Sequence, residues 1–244
     1  MEPKFKIPTE SVELPSKGKF YPEGHPLKSG TVEMKYMTAK EEDILTNQNY
    51  IQKGIVIDKL LQSLLVTDFN YDDLLIGDKN AIMIAARILS YGKEYPVEYN
   101  GEQVEVDLSL LDAKPHEVEY QRGNREFPVK LPKSGYEVIF KVFTHGDELS
   151  IDQEIKGLQK VNKNDVPEVT TRLKHMIVAI NGNRERADIR KFVDGYLLAQ
   201  DARALREEYV RVSPDVDLKF TYTYDDGSDE EVTLPIGINF FWPD

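Results

Sequence analysis

The apolar residues of this chain change period twice, and that change limits the fold more than any bulk property. From Ile57, side chains at 57, 60, 61, 64 and 65 mark one helical face. A further helix is predicted from about Asp78 to Tyr91, with Ile82, Ala85, Ala86 and Leu89 inward and Gly92 ending it. Over 94–144 the period becomes two. Glu94 to Tyr99 and Glu102 to Leu108 alternate around Asn100-Gly101, a dipeptide that supplies the positive φ angles of a two-residue hairpin turn. Alternation is weaker in HEVEY (116–120) and returns in Glu126 to Leu131 and Tyr136 to Phe143. Helical spacing resumes after Gly146 in four stripes: Ile151, Ile155 and Leu158; Leu173 to Ile180; Ile189 to Leu197; and Leu198 to Tyr209. Each stripe is too narrow to be buried all round, so a small bundle with a shared interior is expected. Beyond Pro214, Asp217 to Tyr224 and Glu230 to Leu234 read as a second hairpin.

The pattern predicts an α+β protein with an extended N-terminal arm (1–30), a helical part with one strand (31–92), a β-rich part (93–145), a helical bundle (146–212) and a C-terminal β-hairpin with an aromatic tail (213–244). Two helical parts thus flank a central antiparallel β layer. The arm carries five prolines and three glycines, which breaks helices and long paired strands. It also carries Phe5, Ile7, Val12, Leu14, Phe20, Tyr21 and Leu27, more apolar surface than a solvated tail tends to hold. Both a disordered tail and an arm lying on this protein or on a neighbour fit. Thr31 to Met37 alternates as a half-buried strand, and Thr38 with Glu41 forms a capping box that opens the next helix.

The chemistry that is missing narrows the function. There is no cysteine, hence no disulfide, thiolate nucleophile, zinc ribbon or iron–sulfur cluster. The four histidines (25, 116, 145 and 175) show no metal-binding spacing, and the glycines form no phosphate-cradling loop. No catalytic, cofactor-binding or metal-ligating residue is therefore expected, and the chain is read as no enzyme. Forty-three acids against thirty-one bases give a net charge of −12, the wrong sign for a nucleic-acid binder. No run is long enough to cross a bilayer, and the polar, proline-rich start lacks a signal-peptide core, so a soluble protein made in the cytoplasm is expected. The different-class rival is a carboxylate-dependent hydrolase, which predicts a cavity holding acids of raised pKa.

What remains is surface. The segment 184–211 is dense in charge, with Arg184 and Asp188, Arg203 and Glu207, and Glu207 and Arg211 four residues apart. It is either a self-neutralised solvated face or a docking face in which Arg203 and Arg206 contact a partner. Phe240-Phe241-Trp242 either packs as a final strand in the chain's own core or anchors in a neighbour's groove. Phe20 and Tyr21 are candidate anchors on the arm. The last thirty-two residues hold eight acids and one lysine, which would steer basic partners.

The order LPSKGKFYPEGHPLKSGTVEMKYMTAKEEDILTN, GIVIDKLLQSLL, TRLKHMIVAINGNRERADIRKFVDGYLLAQDARALREEYVRVSPDVDL and PIGINFFWPD resembles the baseplate hub assembly proteins of T-even-type contractile-tailed bacteriophages over residues 12–244. The resemblance implies a late viral protein that helps build the tail baseplate in its hub or wedge region. Its partners would be other baseplate or tail proteins, with several copies per particle allowed. It implies no catalytic site, and residence either in the virion or, for a transient tail-assembly chaperone, only on the assembly pathway. Relatives carry cysteine-based ribbons near 94–130; this chain does not, which leaves the Asn100-Gly101 hairpin to hold that segment.

Overall fold

In the computed structural model of the chain, the residues described are 6–114, 123–161, 166–236 and 238–241. The HEVEY segment lies outside them. The arm begins with β1 (Thr9–Glu13), which pairs antiparallel with β2 (Thr31–Lys35), Val12 facing Val32. Five prolines therefore still leave room for one short paired strand. The turn between the strands is drawn tight at Gly18, whose φ is 70° and where a Cβ would sit 2.3 Å from the Lys28 carbonyl oxygen.

Helices α1 (Ala39–Leu45), α2 (Gln48–Lys53), α3 (Val56–Leu64) and α4 (Ile76–Tyr91) follow. At the start of α1 the Glu41 carboxylate accepts from the Thr38 amide at 3.0 Å, the return bond of a capping box, and from the Thr38 hydroxyl at 2.6 Å. Strands β3 (Glu94–Tyr99) and β4 (Glu102–Asp107) form the expected hairpin, with φ of 54° at Asn100 and 81° at Gly101. They make a sheet of their own. A second sheet is β5 (Glu126–Lys130), β6 (Glu137–Lys141) and β7 (Ile177–Ile180), all antiparallel. Around it lie α5 (His145–Val161), α6 (Glu168–Met176), α7 (Arg186–Gly195) and α8 (Ala199–Val212). The hairpin of β8 (Lys219–Thr223) and β9 (Asp229–Thr233) leads into a 3-10 turn at Ile238–Phe241.

The α+β class is as expected, but its parts interlock. The apolar stripe Leu173 to Ile180 is helical only through Met176; Ile177 to Ile180 then runs as β7 and completes the sheet beside β6. The strands of the central region divide between two sheets instead of forming one layer. Helix α8 does not close a bundle of four: its Tyr209 ring lies 5.3 Å from Phe143 and 6.4 Å from Phe140, against the strand side. One apolar cluster runs through every part, from Phe20 and Leu27 through Leu60, Leu75 and Phe140 to Leu205, Phe240 and Phe241.

Candidate interaction surfaces

Four of the ring anchors suggested by the sequence are core residues. Phe20 and Tyr21 are 1% and 2% exposed, and Phe240 and Phe241 are fully buried. Phe240 packs on Tyr95 with ring centroids 4.9 Å apart, and Phe241 meets Phe240 edge-on at 5.4 Å. The aromatic end is thus a 3-10 plug in the chain's own core and not a final strand. Sequestering large rings removes them from partner contact in the free chain, which is the own-core alternative of the two that the sequence left open. Trp242 lies outside the described residues.

The arm is held by a buried polar contact. Asp78, in the first turn of α4, accepts from the Tyr21 hydroxyl at 2.7 Å and the Ser16 amide at 2.9 Å, while the Leu75 amide donates to the Tyr21 oxygen at 3.1 Å. Burial pushes the Asp78 carboxyl up to about 6 against the pull of these donors. Among the described residues it is the carboxyl raised above its ordinary range, as the hydrolase reading demands. Yet it is fully buried and engaged by two donors. It does not line the cavity of about 380 Å³ beside Tyr21, whose walls include His25, Arg125, Lys141 and Glu126. There Glu126 is lowered, chiefly by the Arg184 guanidinium.

Other buried and half-buried charges tie elements together. Asp58 of α3 pairs with Lys79 of α4 at 2.5 Å and faces His145 of α5 at 3.8 Å. Burial and then Lys79 hold the His145 imidazole below its usual range. Glu154 of α5 receives His175 of α6 at 2.9 Å and Arg190 of α7 at 2.6 Å, and is held down to about 2, first by Arg190. Asp201 of α8 caps the turn after β5, accepting from the amides of Lys133 at 2.7 Å and Ser134 at 3.0 Å. Each group is saturated by its partners, which suits a rigid crosslink. Among the described residues no three His, Asp or Glu side chains are placed to hold a metal ion, and no helix is long and apolar enough to cross a membrane.

The remaining candidates, Arg203 and Arg206, do lie outside. The stripe of Ala199, Arg203, Arg206 and Val210 is exposed along α8 at spacings of four, three and four residues. Arg203 pairs with Glu207 at 2.8 Å as its spacing predicts. Arg211 instead takes Glu208, and Arg184 reaches across to Glu126 at 2.7 Å. Arg206 has no acidic partner among the described residues, and Val210 beside it is 63% exposed. Tyr196 and Leu198, both exposed, extend this surface past the start of the helix. An unpaired guanidinium bordered by exposed apolar groups is the composition that interface hot spots favour.

The sequence reading missed Ser16, Asp78 and Asp201. Asp78 and Asp201 sit in first helical turns, where an acid is expected at the surface; an acid flanked by inward positions was the one available signal.

The sequence model of a family described as T4 bacteriophage base plate protein matches residues 7–242. No curated protein matches the chain, and no solved structure does.

Proposed function

We propose, because the chain belongs to the T4 bacteriophage base plate protein family, that it is a structural component of the hub or wedge region of a contractile tail and works by protein–protein recognition. Membership makes it a phage baseplate protein, the match running from β1 to the aromatic plug; the finer reading is supported by the exposed arginine and apolar stripe of α8. The outer stripe of α8, which includes Arg206 and Val210, is the contact we assign to a neighbouring baseplate protein. Specific interfaces rest on a few arginine or aromatic anchors inside a larger contact area.

Mass spectrometry of purified particles tests the first half: fixed stoichiometry with crosslinks to hub or wedge proteins is expected, whereas absence from particles identifies a transient assembly chaperone. The second half is tested by Arg206→Glu with Val210→Asp. Both side chains are exposed, so the isolated double variant should melt as the parent does, while binding to its neighbour falls by about 2 kcal/mol or more, roughly thirtyfold. Unchanged incorporation into tails would move the contact off α8.

A further inference from the structure

A second surface is the outer edge of β1. In the β1–β2 ladder the Leu14 amide donates to the Gly30 carbonyl and the Tyr36 amide to that of Pro8. Antiparallel ladders alternate, so residues 8, 10, 12 and 14 turn their backbone groups toward β2, and Thr9, Ser11 and Glu13 turn theirs away. Among the described residues nothing pairs with the amides of those three. The edge is exposed, Val12 alone being half-buried.

Beside this edge runs an apolar groove of about 270 Å³. Its floor is Ala81, Ile84, Ala85 and Ile88, one face of α4 at helical spacing. Val12 borders it on the strand side and Leu108 with Leu111 on the other. Helix α4 is apolar on two sides: Ile82 and Ala86 go to the core, and of the second face Ile84 is buried while Ala81, Ala85 and Ile88 are half-buried along the groove. Leu110, 76% exposed, stands next to the far wall.

The geometry points to strand addition: we propose that an extended segment of another protein, with alternating apolar side chains and basic flanks, pairs with the outer edge of β1 and seats those side chains over α4. An open edge supplies main-chain hydrogen bonds, and a pocket on one side accepts every second side chain. The charge follows from the groove lining, which holds two acids, Glu13 and Asp112, and one cation, Lys17, and from Glu10 on the same strand. The same acids oppose pairing of two copies edge to edge, because Glu10 and Glu13 of both would gather on one ribbon. This inference rests on the reading of the chain as a recognition protein. Its test uses the isolated chain, so absence from virions would leave it standing, and its failure would leave the α8 contact untouched.

The test is titration of the ¹⁵N-labelled full chain with the synthetic peptide Lys-Val-Thr-Val-Thr-Val-Lys, followed by amide shifts and hydrogen exchange. Slowed exchange at Ser11 is expected, with shifts confined to β1, the Ala81–Ile88 face of α4 and residues 108–111. Ser11→Pro deletes an outward amide without touching the β2 ladder, and Ala85→Phe fills the groove while keeping that amide. Each should weaken binding at least tenfold with an unchanged melting temperature. Replacing the flanking lysines of the peptide by glutamates should do the same. Equal binding by parent and Ser11→Pro, or by both peptides, overturns the proposal. Protection of Ser11 that grows with protein concentration and no peptide assigns the edge to a second copy. Protection at every concentration assigns it to the chain's own residues, and either result also overturns it.

Discussion

Tyr21 and Asp78 are fifty-seven positions apart in sequence, yet they share a buried hydrogen bond on which the arm depends. Tyr21→Phe keeps the ring but leaves the Asp78 carboxylate and the Leu75 amide each short of a partner. A loss of about 1–3 kcal/mol is expected in urea unfolding, because buried polar groups without partners carry their full desolvation cost. The pH dependence has a definite sign. The Asp78 carboxyl lies at about 6 in the fold against 3.8 ordinarily, so the folded chain holds its proton more tightly. Stability from this site is full below about pH 4 and is lost as pH rises through about 6; Asp78→Asn should flatten that stretch of the stability curve. Glu41 acts in the opposite sense. Its burial is outweighed by Lys35 and Thr38, which hold it down to about 2, so its contribution is lost on acidification from about pH 4.5. None of this was legible from residue types, since Tyr21 reads equally well as an exposed anchor. Burial depends on what covers a side chain, and the arm's cover comes from α4, more than fifty residues away.

At the scale of elements, two glycines in helices make opposite predictions from the same substitution. Gly157 in α5 has open space where a Cβ would go, so Gly157→Ala should raise stability by about 1 kcal/mol through helix propensity. Gly77 in α4 packs against the loop after α8, where a Cβ would lie 1.8 Å from the Pro214 carbonyl oxygen. Gly77→Ala should therefore destabilise by 1–3 kcal/mol or more despite its better propensity, as overpacked sites do. Thermal denaturation of the pair checks both signs. The elements themselves were largely readable. Asn100-Gly101, the capping box at Thr38 and the stripe of α3 are local signals, and local signals survive without tertiary context. The stripe Leu173 to Ile180 misled because its spacing of three, four and seven fits a helix, while Ile177, Val178 and Ile180 are also good strand formers. An open edge of β6 decided between them.

For the molecule as a whole, the joined core makes its two ends part of its stability. Phe241→Ala should cost about 3–5 kcal/mol, with loss of cooperative folding in the isolated chain, because the emptied site lies in a core shared by all parts. If the variant instead folded normally and failed only in tail incorporation, Phe241 would be an interface residue after all. With Phe20, Tyr21, Phe240 and Phe241 turned inward, the two contacts we propose fall on the α8 stripe and the β1 edge. Periodicity and turn dipeptides determined the fold class by themselves, because they depend on neighbours along the chain. Which rings are hidden and, among the described residues, which arginines and strand edges lack partners were decided only by the tertiary structure. Those properties depend on what folds against them from far away in the sequence, and no local pattern encodes the identity of that cover.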